Sequence, residues 1–297
     1  MLPASLVDPH HHLWDLSRPD YPWIQEEPPP PSVCGDTRRL RFDYRPADYR
    51  ADFAPLPVAK SVAVEAGSAD PLGETEWLQG LGDNEGLPTA IVSHAVLDDP
   101  NLARTLDELL RYPRVRGVRH IVTWHRNPAV SYVERSDYMT DPQWLKGFSL
   151  LESRGLSFDL QLYPSQLAGA CELASRFETT TIILDHAGMP IDRDADGLET
   201  WRRGIASLSV YPNVYIKLSG LGMVDYEWTA ASIAPFIEHI LETFGPARSM
   251  FASNFPVDKL YSSYTTLYQA FDDLTTTLSD ADRDALFRTT AAKAYRI

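Results

Sequence analysis

The side chains of this sequence that could do chemistry recur at intervals, each at the end of a short apolar run. The first group is Val7-Asp8-Pro9-His10-His11-His12. In an extended strand successive side chains alternate faces, so His10 and His12 point the same way. Two imidazoles on one face are half of a metal site or of a proton-transfer site. Further on, Glu65 ends Ser61-Val-Ala-Val and His94 ends Thr89-Ala-Ile-Val-Ser. Arg119 and His120 follow Val115-Arg-Gly-Val, with Trp124 and His125 just beyond. Gln161, the pair Asp185 and His186, Lys217, and then Asn254 with Asp258 close four more such runs. Side chains of these types seldom go inside a protein unless paired or coordinated, so packing alone is a poor account of them.

Each has a structural reading beside the chemical one. His186 is a site residue or a satisfied core histidine. Arg119 anchors substrate or bridges to a carboxylate across the mouth of the fold. Glu65 is a metal ligand or base, or the partner of Arg119 or a histidine. Lys217 is a catalytic or substrate-binding group, or a member of a buried ion pair. His94, His120 and His125 lean to structural roles, and Trp14, Trp23 and Trp124 to pocket wall or core.

The elements that must position these groups alternate along the chain. Apolar β-like runs cover 6–10, 61–65, 89–94, 115–122, 156–162, 181–185, 214–218 and 249–253. Helical patterns lie at 72–81, 101–110, 142–151, 165–176, 198–208, 230–244, 263–276 and 280–295. Asp141-Pro142 offers an N-cap with proline at the first position, and Gly245 a stop. Eight strands too apolar to be half exposed, with helices between, predict an α/β fold with a parallel sheet covered on both faces. Eight such units in one domain over 1–297 point to a (β/α)8 TIM barrel. The rival, a doubly wound open sheet, favours a glycine-rich first turn, where this chain has histidines. Residues 18–52, with Pro28 to Pro31 in a row and Tyr21, Trp23, Phe42, Tyr44 and Tyr49, read as an irregular arm or lid.

Charge and composition exclude some classes of function. The 297 residues carry 27 basic and 41 acidic side chains, a net charge of −14. An anionic surface repels phosphate backbones and anionic lipid, so neither nucleic acid nor membrane is expected as a partner. No apolar stretch is long enough to span a bilayer, and the N-terminus lacks the charged and apolar regions of a signal peptide. Two cysteines, Cys34 and Cys171, with no C-x-x-C spacing favour reduced thiols and a cytoplasmic setting. A small-molecule substrate is the expected partner, and a homo-oligomer stays open.

Beyond these patterns, the chain resembles the amidohydrolase superfamily, in its amidohydrolase-2 branch. Within that branch it is most similar to the sugar lactonases, such as L-fuconolactonase and L-rhamnonolactonase, and to the pyrone-dicarboxylate lactonases. The similar stretches are Asp8 to Asp15, Tyr21-Pro-Trp-Ile, Glu74-Thr-Glu-Trp-Leu, Val115-Arg-Gly-Val-Arg-His and Gly155-Leu-Ser-Phe-Asp-Leu with Gln166-Leu167. Leu184-Asp-His-Ala-Gly with Pro190, Asn213-Val-Tyr-Ile-Lys-Leu-Ser-Gly-Leu and Met250-Phe-Ala-Ser-Asn-Phe-Pro-Val complete the set. The resemblance implies a hydrolase that opens a small polar or anionic lactone by attack of water. It implies His10, His12 and His186 as holders of one divalent metal, zinc before others, or as groups that polarise the carbonyl without one. Arg119, Gln161, Trp124 and Lys217 would bind substrate. Gln161, where binuclear members use lysine or histidine, argues against a two-metal site.

One departure falls at the family's strand-8 acid, where this chain has Asn254. An amide cannot take a proton from water as a carboxylate can. Catalysis at that position therefore passes to Asp258, to Glu65, or to a metal-bound hydroxide needing less help. A metal assisted by Glu65 or Asp258 is the favoured repair. The alternatives are a metal-dependent decarboxylase of the same superfamily, and a barrel that binds ligand without turnover.

Overall fold

The computed structural model describes residues 2–18 and 20–297; Met1, and Pro19 within the expected arm, lie outside the described residues. Eight strands form one sheet in chain order: β1 (Leu6–His11), β2 (Val58–Val64), β3 (Ala90–His94), β4 (Val115–Arg119), β5 (Ser157–Leu160), β6 (Ile182–Leu184), β7 (Val214–Leu218) and β8 (Ser249–Phe251). Every neighbouring pair is parallel. The sheet closes where His12 N donates to Phe255 O (2.7 Å) and Asn254 N to His10 O (2.8 Å), with a parallel bridge between His11 and Phe255. This is the expected TIM barrel.

Alternation along the strands sorts the side chains. Leu6, Ala63, Ile91 and Ile182 pack outward into the main core, while Val7, Val62, Val64, Ala90, Val92, Ile183, Tyr215 and Met250 form a second cluster inside the barrel. Tyr295, from the end of the chain, packs into that inner cluster with Ala291 and Ala294. The end of the barrel opposite the carboxyl tips is thereby plugged.

The helices are α1 (Pro22–Gln25), α2 (Pro46–Phe53), α3 (Pro71–Glu85), α4 (Leu102–Leu109), α5 (Pro142–Phe148), α6 (Leu167–Arg176), α7 (Ala195–Leu208), α8 (Ala230–Phe244), α9 (Tyr264–Leu274), α10 (Asp280–Asp284) and α11 (Thr290–Tyr295). Asp141 caps α5 as expected, accepting from the backbone of Gln143 and Trp144. That helix stops at Phe148, short of 151, because Leu150 N and Leu151 N turn to the carbonyls three residues back. The last helix is not uniform either: a π turn over Ala285–Thr289 separates α10 from α11.

The arm over 18–52 is more ordered than expected. It contains α1 and most of α2, and it is sewn to the barrel. Trp14 and Tyr44 exchange backbone hydrogen bonds (3.0 and 2.9 Å), and Trp14 Nε1 donates to Phe42 O (2.7 Å). Aromatic burial drives this docking, with Trp14, Tyr21, Tyr44 and Tyr49 all inside the core.

Candidate active site at the carboxyl ends of the strands

The opening motif is held by its aspartate. Asp8 is fully buried and accepts from Ser253 N (2.9 Å), Ser253 Oγ (2.6 Å), Tyr49 OH (2.7 Å) and Tyr264 OH (3.0 Å). It thus ties β1 to the loop after β8, to α2 and to α9. The β1–β2 register slips between Asp8 and His11, and a bulge of this kind re-aims side chains. His10 and His12 converge, with their Nε2 atoms 3.3 Å apart, and the His186 ring lies 4.5 Å from that of His10. His11, between them, faces away: it stacks on Tyr49 at 4.1 Å and bonds Ser61 Oγ (2.9 Å).

The second partner of each ring sets which nitrogen is free. His12 Nδ1 faces the Val64 carbonyl at 2.9 Å, so that nitrogen carries the proton and Nε2 keeps its lone pair. His186 Nδ1 faces Ser219 Oγ at 3.0 Å. Its ring fits because Gly220 has φ +64 and no side chain; a Cβ there would stand 2.6 Å from His186 Nδ1. Burial, reinforced by Arg119, pushes His12 down to about 4, and burial takes His186 to about 3. His10 is also driven far below its ordinary value by burial and by Lys217. The three imidazoles are neutral at neutral pH, the state in which a metal ligand must be.

Beneath them lies a buried layer of charge. The Lys217 ammonium contacts Asp159, lies 2.9 Å from Asp185 Oδ1 and 3.0 Å from His10 Nδ1. Tyr295 OH donates to Asp159 Oδ1 from below (2.7 Å). Lys217 has no exposed surface and does not line the cavity. The expectation that it binds substrate is therefore corrected: carboxylates on two strands hold its charge under the histidines. Burial works against ionised Asp185, but Lys217 and His10 hold its carboxyl well below the usual range. Its oxygens lack well-aligned hydrogen bonds, and with His10 and His186 it forms a group whose ligand atoms lie within 4.8 Å.

Above the histidines opens a cavity of about 450 Å³, with His12, His186, Arg119, Gln161 and Asn254 among its lining residues. Arg119 is held by Glu65 twice, through Nε to Oε1 (2.6 Å) and NH2 to the backbone carbonyl (2.7 Å). Its NH1 donates to Gln161 Oε1 (3.2 Å) and lies 3.5 Å from Asp185. Glu65 Oε2 also accepts from Gly67 N (2.7 Å). Burial raises the Glu65 carboxyl, yet Arg119 and then His94 outweigh it and take it to about 2. A carboxylate held so low by a guanidinium is a poor base. The expected catalytic role of Glu65 is corrected to that of Arg119's partner. Trp124 is also corrected: it is half-buried and lines other cavities, with His125 and Arg126.

The strand-8 side of the mouth is different. Asn254 is buried, at φ +57, with its Nδ2 3.5 Å from Met223 Sδ and 3.4 Å from Asp258 Oδ1. Asp258 lies one layer behind it and accepts from Gly220 N at 3.2 Å. Burial pushes the Asp258 carboxyl up to about 7, against the weaker pull of those two hydrogen bonds. Sequence reasoning missed Asp159, although Ser157, Asp159 and Gln161 alternate through an otherwise apolar run and so share a face. It also missed Tyr132 and Met223 on the cavity wall, which lie in loops without periodicity.

Fold and site together define a TIM-barrel enzyme whose reactive groups stand at the carboxyl ends of its strands. The chain belongs to the amidohydrolase family, whose model, described as Amidohydrolase, matches residues 7–297. It is 41% identical over 299 residues to the protein y4mH of Sinorhizobium fredii, covering 100% of each chain. It is 29% identical over 306 residues to an L-fucono-1,5-lactonase of Burkholderia multivorans, covering 99% of this chain and 97% of that one. Among solved structures, an amidohydrolase from Burkholderia multivorans with bound zinc superimposes with a TM-score of 0.83 at 27% identity, covering 98% and 99%.

Proposed function

We propose that this protein hydrolyses a lactone, adding water across a cyclic ester to give the open-chain hydroxy acid. One observation carries the reading. Neutral imidazoles and the Arg119 guanidinium meet at one cavity floor, and behind Asn254 on its strand-8 wall lies the buried Asp258 carboxyl, pushed up to about 7. The similarity to a fuconolactonase supports it.

His10, His12 and His186 would hold one divalent ion, as their neutral rings and the 3.3 Å between the His10 and His12 Nε2 atoms support, and Asp185 joins His10 and His186 in a set of ligand atoms within 4.8 Å. The zinc in the related structure supports that choice of metal. Such an ion supplies Lewis-acid activation of the carbonyl and of water. Arg119 donates to the carbonyl oxygen as charge develops there, held in place by Glu65. Asp258 accepts the proton of the attacking water, through one water beside Asn254, and returns it to the leaving ring oxygen. Asn254 orients that water by donating or accepting. The lactone is the expected partner; a net charge of −14 argues against nucleic acid or membrane, and free Cys34 and Cys171 support the cytosol.

The test is a panel of lactones and aromatic acids with the bound metal quantified. Ester opening with one equivalent of divalent ion is expected. Carbon dioxide release would make the protein a decarboxylase, and saturable binding without turnover a binding barrel.

A further inference from the structure

The cavity says more about its ligand than the motif does. The expectation of a polar or anionic lactone leaned on Arg119 and Lys217 as available cations. Glu65 closes on Arg119 at 2.6 Å, and Lys217 is sealed beneath the floor by Asp159 and Asp185. Among the described residues no other lysine or arginine lines the cavity. Glu65 neutralises Arg119, which keeps N–H groups for a carbonyl oxygen. The ring carbonyl takes the histidines and the ion they would hold, so a ligand carboxylate elsewhere in the cavity would find no unpaired cationic side chain among the described residues.

The upper wall is apolar, built of Trp23, Pro30, Pro31, Tyr132, Met223 and Val257. The polar atoms there are largely engaged within the protein. Trp23 Nε1 donates to Ala66 O (2.7 Å). Ser131 Oγ donates to Val133 O (2.8 Å) and accepts from His125 N (3.0 Å). A polyhydroxylated ring would surrender hydrogen bonds to water there and find few replacements.

The wall is also fixed in place. Val33 O accepts from Tyr226 OH (2.7 Å) and Cys34 O from Tyr261 OH (2.6 Å), and these two tyrosine rings stack at 5.1 Å. Gly67, at φ +70, lets the Trp23 ring lie against it.

We propose that the lactone this cavity accepts is uncharged and carries an apolar substituent, with the ring carbonyl on the histidine–arginine floor and the substituent against the Trp23–Pro30–Tyr132 wall. This rests on the lactonase reading above. A volume of about 450 Å³ leaves room for both parts and falls in the range of small-molecule sites.

The test compares kcat/KM of the holoenzyme on δ-valerolactone, a δ-lactone with a five-carbon chain beside the ring oxygen, L-fucono-1,5-lactone and a δ-lactone bearing a carboxylate. Each buried methylene favours binding about fourfold, so a five-carbon chain fully buried on the wall should raise kcat/KM over δ-valerolactone by about 1000-fold. Trp23→Ala and Tyr132→Ala should each reduce that ratio about tenfold, chiefly through KM. A sugar or carboxylated lactone turned over best would overturn the inference. If no lactone is opened, the lactonase reading fails, and calorimetry with the matching unreactive lactams decides the cavity's preference. Tighter binding of the alkyl lactam upholds the inference, and equal affinity overturns it.

Discussion

Glu65 and Asp258 are both buried carboxyls flanking the same cavity, one at the end of β2 and one after β8, and they are driven in opposite directions. Burial raises both. Glu65 has a guanidinium at 2.6 Å and falls to about 2, whereas Asp258 has only an amide and a backbone N–H and stays near 7. A carboxyl beside a cation becomes a permanent anion that positions its partner. A carboxyl buried without one can exchange a proton at neutral pH. The side of the barrel that lost its expected acid at position 254 therefore still holds a group suited to take a proton.

This comparison can be broken most strongly at Asp258. Asp258→Asn should lower kcat by about 10² to 10⁴, the span of general-base catalysis, with the fold intact by circular dichroism. Full turnover in that variant would remove Asp258 from the mechanism. Glu65→Gln should instead act on stability, by about 3 kcal/mol in denaturant unfolding, since it leaves Arg119 buried without its counter-charge. Its activity would suffer through a displaced Arg119, and Glu65→Gln combined with Arg119→Met should recover stability without recovering turnover.

The two carboxyls also differ in pH response. Asp258 works as a base only when ionised, so kcat/KM should rise as pH climbs through about 7, and that limb should vanish in Asp258→Asn. Its raised value favours folding below the ordinary carboxylate range, and that contribution is lost as pH rises through about 7. Glu65 is the reverse: its contribution is present above its ordinary value and lost as pH falls toward about 2. Asn254→Asp would set a second carboxyl 3.4 Å from the first, so the pH–rate limb should shift upward and broaden as the pair titrates together. Trp124→Ala should matter least, changing kcat/KM less than twofold, because Trp124 lines other cavities and not this one.

Much of the fold was readable from local periodicity. The eight apolar runs became the eight strands, with ends moved by a few residues, and the Asp141 and Gly245 boundaries held. The arm's helices went unread because a proline-rich stretch with scattered aromatics has no helical period, and its order comes from docking. In the site, the shared face of His10 and His12 and the address of His186 were readable. The roles of Lys217, Glu65 and Trp124 were not, because each depends on a neighbour far along the chain.

The sequence alone determined that this chain is a barrel, that imidazoles stand at the carboxyl end of its first strand, and that an amide replaces an acid at position 254. Order along the chain and the two-residue period of a strand suffice for those. The tertiary structure decided which charges are spent. Glu65 meets Arg119 across 54 positions and Lys217 meets His10 across 207, and barrel closure alone brings such groups within hydrogen-bonding distance. Protonation follows from those distances and from burial, so which carboxyl can act as a base was set by the fold.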